Sequence, residues 1–318
     1  MTGHRSDPSV LLGVDVGGTS MSAGLVTVDG RVLVTRGRST HGPDGGDAIE
    51  RILALTAEVA ALSDARVHRL VGVGAGLPGL VDMASGTVGG EAHHVPELTG
   101  VPMTRLLCEA AGAPAFVDND VNALALAEGR WGAGRGAKSF VLLAVGTGVG
   151  GGMVIDGRLH RGAGGFGGEL GHVPIEFDGR PCICGARGCL KAYVAGPDLA
   201  GEASRRLGRP VDAAGLFDLA DGGDGTAEAV VAEATEALAA GLAIIVNGIN
   251  PERLLVAGSV GRAFARRERD VRARLARRAY KGALATTRVI FLDLDKDTSV
   301  RGGAALVLYE REQASRDT

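Results

Sequence analysis

Val10-Leu11-Leu12-Gly13-Val14-Asp15-Val16-Gly17-Gly18-Thr19 opens on a strand-length apolar run that ends in a glycine turn. Roughly 128 residues later the pattern returns as Phe140-Val141-Leu142-Leu143-Ala144-Val145-Gly146-Thr147-Gly148. In each case a second apolar run follows, residues 21–28 and then Gly151-Gly152-Met153-Val154-Ile155. Each of those leads into an Asp-Gly-Arg triplet, Asp29-Gly30-Arg31 and Asp156-Gly157-Arg158. Short apolar runs bounded by glycine read as buried strands, and Asp-Gly reads as a hairpin turn. A repeated supersecondary unit implies two similar lobes, each opening with a turn of the size that holds a phosphate. Two unrelated hairpins in a glycine-rich chain would give the same local pattern.

Between and after these units the chain alternates. Helical spacing covers residues 47–62, 103–112 and about 121–130, and strands are expected at 69–75 and 115–117. Helices are expected at about 197–207, 226–247, 261–280 and 299–313, with strands near 253–257 and 288–294. Alternating strands and helices give an α/β fold. Glycine needs context: with 52 in the chain, a G-x-G-x-x-G pattern arises by chance about once. It occurs at Gly146-Gly148-Gly151 and at Gly162-Gly164-Gly167, and neither match supports a dinucleotide site by itself.

The 318 residues are 45% hydrophobic and 22% charged with net charge −3, a balance without bulk attraction to nucleic acid or anionic membranes. The start, MTGHRSDPSV, has no apolar signal-peptide core, and no apolar run reaches the ~18 residues of a spanning helix. Three of the four cysteines cluster, which fits a reducing compartment and a metal rather than a disulfide scaffold. A cytoplasmic protein is expected.

Four constellations could carry chemistry. Cys182, Cys184 and Cys189, with His172 ten residues upstream of the first, form a complete tetrahedral set for Zn²⁺. Four protein ligands leave no open position, so such a site is structural. Asp15 with Gly17, Gly18 and Thr19 offers backbone N–H groups and a hydroxyl to a phosphate, and Asp15 can orient hydrated Mg²⁺. Gly146-Thr147-Gly148 is the same device in the other half, and two such turns across a cleft describe an ATP site. Asp118-Asn119-Asp120 opens a helix, where it reads equally as a cap and as a general base for phosphoryl transfer to an alcohol, with Asn119 on a neighbouring hydroxyl. Glu169 and His172, three apart, would share a helical face and present a rigid pair to sugar hydroxyls, stiffened by zinc.

Together these residues resemble the ROK family (repressors, open reading frames, kinases), specifically its bacterial glucokinase-like sugar kinases. The resemblance runs in order along nearly the whole chain. Leu12 to Thr19 is similar to the first phosphate motif, Gly76-Leu77-Pro78-Gly79-Leu80-Val81-Asp82 to the G-x-P-G-x-V-D segment, and Gly146 to Gly152 to the second phosphate motif. Asp118 to Ala123 matches the segment that carries the catalytic base, which falls on Asp120. Gly168-Glu169-Leu170-Gly171-His172 and Cys182 to Cys189 match the zinc signature. Asn250-Pro251-Glu252 through Gly258-Ser259 resembles the adenosine-side segment.

The resemblance implies a duplicated, two-lobed actin-like (ribonuclease H-like) ATPase fold with a structural zinc loop. The N-terminal lobe is expected over 1–118, completed by the C-terminal helix at about 299–318, and the larger lobe over 119–298. ATP and Mg²⁺ are expected with Asp15, Gly17, Gly18, Thr19, Gly146, Thr147, Gly148 and Gly258, and the sugar with Gly79, Asn119, Asp120, Glu169, His172 and Lys191. A homodimer is expected as well. Two departures stand out. The family's kinases carry a sugar-contacting glutamate two residues after the last zinc cysteine, and here that position is Lys191, which inverts the hydrogen-bond demand if it lines the pocket. The family's Asn-Leu segment after the G-x-P-G stretch reads Glu97-Leu98. The expected activity is transfer of the γ-phosphoryl of ATP to the 6-hydroxyl of a hexose, with glucose the default. An amino sugar (kanosamine, an N-acetylhexosamine) or a C7-cyclitol is the alternative that Lys191 and Glu97 raise. Another class, the family's sugar-sensing repressors, carries an N-terminal helix-turn-helix domain, for which a phosphate strand beginning near residue 10 leaves no room. A non-catalytic sugar-binding protein is opposed by retention of Asp120 and both phosphate turns.

Overall fold

The structure is a computed structural model, and residues 9–42, 47–63, 68–90, 92, 94–294 and 296–316 are described. The chain divides into two compact units, residues 1–135, 163–166 and 295–318 in the first, and 136–162 and 167–294 in the second.

The first unit is built on β1 (Ser9–Val16), β2 (Ser20–Thr27), β3 (Val32–Ser39), β4 (Arg69–Leu77) and β7 (Ala115–Asn119), in the order β3-β2-β1-β4-β7. The short strands β5 (Val81–Asp82) and β6 (Thr87–Val88) pair separately. Helices α1 (Ala48–Ala60) and α2 (Met103–Ala111) pack on one side of the sheet, and α3 (Asp120–Trp131) and α11 (Lys296–Arg316) on the other. Val10, Leu12, Val14 and Val16 pack with α1 and α2, while Leu11 packs with Val300, Ala304 and Val307 of α11. A strand covered on both faces buries both of its side-chain rows, so Val10 to Val14 of β1 form a continuous apolar run rather than an alternating one.

The second unit holds β8 (Phe140–Val145), β9 (Val149–Ile155), β10 (Arg158–Leu159), β11 (Arg253–Ala257) and β12 (Arg288–Phe291), in the order β10-β9-β8-β11-β12. Its helices are α4 (Lys191–Val194), α5 (Gly196–Leu207), α6 (Ala213–Asp221), α7 (Gly225–Gly248), α8 (Ser259–Ala265), α9 (Glu268–Arg278) and α10 (Lys281–Thr286). Both sheets have the same plan: two antiparallel pairings at one edge, then two parallel pairings. The repeated sequence pattern is thus a repeated topology. Helix α7 is long and apolar enough to cross a membrane by length and composition, but two thirds of that stretch is buried inside this unit. Leu238, Leu242 and Val246 lie in its core, which makes α7 a core helix.

The structure differs from the sequence reading most in four places. The division falls after residue 135 rather than 118, because α3 packs against α11 and β4 and Arg130 pairs with Glu312 at 2.8 Å. The helix expected over 261–280 breaks at Arg266 and Arg267. Arg266 pairs with Asp218 and Asp221, and Arg267 with Asp221 and Glu228, so the two side chains anchor the bend to α6 and α7. Strand β12 stops at Phe291 rather than 294, and α6, which local spacing did not mark, is started by Asp212 accepting from Gly215 N.

Candidate active site

In the first unit the site residues gather at the carboxyl ends of parallel strands, where open α/β sheets place ligands. Register sets Asp15 beside Gly76 and Gly76 beside Asp118. Asp15 and Asp118 are therefore two strands apart, about 10 Å at ~4.8 Å per strand. Gly17 N donates to Ser20 O at 2.9 Å, closing the turn. Thr40, which the sequence did not mark, clamps it from outside: its N–H donates to Thr19 O at 3.0 Å and its hydroxyl to Gly17 O at 2.6 Å. Only the β2–β3 pairing brings Thr40 there, so no local signal announces it. His94 lies against Gly18, where an added Cβ would come within 2.9 Å of the His94 Cβ. Burial pushes the Asp15 carboxyl up to about 6, against the opposing effect of a Ser299 hydrogen bond.

Strand β7 ends at Asn119, and the cap of α3 falls on that residue rather than on an acid. Its Oδ1 accepts from Val121 N at 2.9 Å and Asn122 N at 3.3 Å, and its Nδ2 donates to Gly79 O at 3.2 Å. One Nδ2 hydrogen is left over by this count. Gly79 has φ +94, and an added Cβ would meet Ala92 at 2.8 Å, so glycine is required there. Asp120 is the first residue of α3, half-buried, with Oδ1 accepting from Val121 N at 2.8 Å. Asp118, 2% exposed, accepts from Asn119 N at 2.7 Å and Asn122 Nδ2 at 2.9 Å and so fixes the turn from behind.

In the second unit Gly146, Thr147 and Gly148 follow β8, closed by Gly146 N donating to Gly148 O at 2.9 Å. Gly258 follows the adjacent parallel strand β11 with φ +92, and Ser259 Oγ lies near Gly146. Thr147 is exposed, and nothing stands within 4 Å of where a Gly148 Cβ would be. The turn is therefore open at Thr147 and Gly148, whereas Gly258 is pressed onto β8, where an added Cβ would come within 2.3 Å of Val145 O.

Glu169 precedes and His172 ends a single 3-10 turn, Leu170–His172, pressed onto β9 at glycines. A Cβ on Gly168 would meet Gly151 O at 2.0 Å, and one on Gly171 would meet Val149 O at 2.1 Å. His172 presents Nδ1 to Cys182 Sγ at 3.5 Å and Nε2 toward Glu169 at 3.9 Å. Cys184 and Cys189 sulfurs are 3.7 Å apart, and the four ligand atoms all lie within 4.8 Å of one another. A tetrahedral Zn²⁺ with ordinary bond lengths needs about 3.8 Å between sulfurs and about 3.6 Å from sulfur to nitrogen. The cluster fits that ion. Burial and the neighbouring sulfurs push the Cys189 thiol up to about 12, a cost that a divalent cation offsets.

The same loop is tied to the helices by residues the sequence did not single out. Arg180 pairs with Glu233 of α7, approaches Glu202 of α5 at 3.8 Å and stacks 4.6 Å over the Tyr193 ring. Tyr193 hydroxyl accepts from Arg180 N at 2.8 Å and donates to Glu176. Lys191, read as a sugar contact, begins α4 with its ammonium 2.8 Å from Asp198. Glu97 lies 3.2 Å from His41 Nε2.

Comparison with known proteins finds relatives along nearly the whole chain. The model of the ROK family matches residues 11–310. A glucokinase of Thermotoga maritima is 34% identical over 311 residues, covering 93% of this chain and 96% of the relative. A ROK hexokinase structure from Thermus thermophilus is 34% identical with TM-score 0.81 and covers 96% of this chain and 99% of its own. A ROK family glucokinase from Streptomyces griseus, in complex with glucose and AMPPNP, is 28% identical with TM-score 0.76, covering 93% and 98%. With duplicated sheets, paired glycine turns and a Cys/His cluster in the order the family motifs require, and a match along nearly its whole length, the chain belongs to the ROK family.

Proposed function

We propose that the chain is an ATP-dependent sugar kinase of actin-like architecture that phosphorylates the 6-hydroxyl of a neutral hexose, glucose first among them. The observation that carries this is Asp120, held half-buried at the first residue of α3 by a capped and buttressed turn, in a chain with a glycine turn at the same place in both sheets. Asp120 accepts the proton of the primary alcohol. The alcohol oxygen bonds the γ-phosphorus as the bond from that phosphorus to the β–γ bridging oxygen breaks, and ADP leaves with that oxygen. The turn amides of Gly17, Gly18, Gly146 and Gly148 and the hydroxyls of Thr19 and Thr147 bind phosphate oxygens, and Gly258, at the end of the adjacent strand β11, lies on the nucleoside side. Mg²⁺ supplies charge neutralisation on the phosphates, and the Asp15 carboxylate at the end of β1 suits a hydrated cation. His172, Cys182, Cys184 and Cys189 would hold a structural Zn²⁺ that stiffens the loop presenting Glu169 and His172 to sugar hydroxyls.

The ion pair of Lys191 with Asp198 and the approach of His41 Nε2 to Glu97 favour a neutral hexose over an amino sugar, because each group already has a partner within the fold. Coupled ADP release over hexoses, amino sugars and cyclitols tests the reading. Glucose or another neutral hexose should lead the panel, and Asp120→Asn should cut turnover by at least 10²-fold, the scale of a lost general base, with an unchanged melting curve. No sugar-dependent ADP release above the water background would overturn it.

A further inference from the structure

The C-terminal helix α11 lies on β1 and β4 at backbone contact. A Cβ on Gly13 would stand 1.7 Å from Val300 O, and one on Gly74 would stand 2.0 Å from Gly303 O. Glycine on both strands lets the first turns of the helix touch the sheet. That approach delivers two polar side chains to this face of the sheet. Asp297 accepts from Thr35 Oγ1 at 3.2 Å. Ser299 hydrogen-bonds the Asp15 carboxyl, and its Oγ lies 3.2 Å from Ser22 Oγ. Ser22 is the cross-strand partner of Asp15, so the three groups converge from β1, β2 and α11.

We infer that Ser299 is a positioning residue: its hydroxyl, oriented by Ser22, fixes the rotamer of the Asp15 carboxylate. The argument rests on the kinase reading, in which Asp15 faces hydrated Mg²⁺. A hydroxyl has one proton and two lone pairs. With Ser22 donating to Ser299, the Ser299 proton goes to the carboxylate, and each bond polarises the next. One carboxylate oxygen is thereby pinned, and the other is left to the metal-bound water. A segment 284 positions from Asp15 in sequence, reached only through the glycine contacts, thus sets the geometry of the first phosphate turn.

The test uses the full-length chain and three variants, Ser299→Ala, Ser299→Thr and Ser22→Ala. Calorimetric titration with ADP, with and without Mg²⁺, is read beside steady-state kinetics at saturating sugar. Ser299→Ala should weaken MgADP binding about tenfold, the scale of a lost hydrogen bond to a charged group. It should raise the Mg²⁺ requirement, lower kcat and leave the sugar KM and Mg²⁺-free ADP affinity unchanged. Ser299→Thr should restore the wild-type values, and Ser22→Ala should fall between. Wild-type MgADP affinity and Mg²⁺ dependence in Ser299→Ala would overturn the inference while the kinase reading stands. So would a loss spread equally over sugar, metal-free nucleotide and melting temperature. A wild-type chain that neither binds MgADP nor releases ADP with any sugar would sink the kinase reading itself, and Ser299 with it.

Discussion

Replacing Lys191 by glutamate puts two carboxylates where the structure has a 2.8 Å ion pair. The Lys191 and Asp198 side chains are 20% and 27% exposed, so the pair lies between a surface bridge and a buried one. Exposed pairs contribute up to about 1 kcal/mol, whereas breaking a buried pair costs about 3–5 kcal/mol. Loss of this one is therefore set at about 1–2 kcal/mol. A like charge adds to that: at an effective dielectric of about 20, two charges about 4 Å apart interact by ~4 kcal/mol before water and side-chain motion reduce it. Lys191→Glu should cost about 2–3 kcal/mol and lower the melting temperature by about 4–10 °C at pH 7.5. Adding Asp198→Asn should return at least half of that loss, and the charge swap Lys191→Glu with Asp198→Lys most of it. The substrate profile of the Lys191→Glu, Asp198→Asn double variant then reports a carboxylate at position 191 free of the neighbouring charge. The check is a double-mutant cycle in urea, read beside ADP release on the sugar panel. A coupling below about 0.3 kcal/mol between positions 191 and 198, with Lys191→Glu as stable as wild type, would mean that Lys191 is unpaired.

Three further outcomes follow from the same structure. Metal analysis should find about one zinc per chain, and Cys189→Ser, which removes the buried ligand, should lose the metal and lower the melting point; a metal-free and fully active preparation would refute the zinc assignment. The folded-state carboxyl of Asp15 titrates at about 6, above its ordinary 3.8, so ionising it costs stability as pH rises from about 4 to about 6 and the cost is complete above that. Asp15→Asn should stabilise the nucleotide-free protein at pH 7.5 by up to about 3 kcal/mol while impairing turnover, with a gain that fades toward pH 4; a gain that grows on acidification would contradict the sign. Gly74→Ala places a Cβ 2.0 Å from Gly303 O, backbone that moves only if α11 moves, and should cost about 1–3 kcal/mol in a denaturant titration; unchanged stability would mean that the helix is not seated there.

What the chain shows locally, it shows well. The strand, glycine turn, strand and Asp-Gly-Arg pattern needs only neighbours in sequence, and it became two sheets of identical order. Cysteines two and five residues apart are joined by backbone short enough that the spacing nearly dictates a shared cluster. Glycine is where reading stops. Gly148 borders open space, Gly74 and Gly168 touch backbone from another element, and Gly79 needs a positive φ, yet all four are the same letter.

The rest was decided by packing between distant segments. Arg266 and Arg267 sit in a run of helix-forming residues and break it, because acids on α6 and α7 hold them. Lys191 reads as a lone cation near the Cys/His loop until Asp198, one helix later, is folded against it. Ser299 and Asp15 lie at opposite ends of the chain and meet only because glycines let α11 touch β1. The sequence by itself determined the family, the paired strands, the glycine turns, the Cys/His cluster and the position of Asp120 at the start of a helix, since each is a pattern of short range. The tertiary structure alone decided which charges are already paired and which side chains hold the site in place. Those are matters of distance across the fold, and the order of residues along the chain does not carry them.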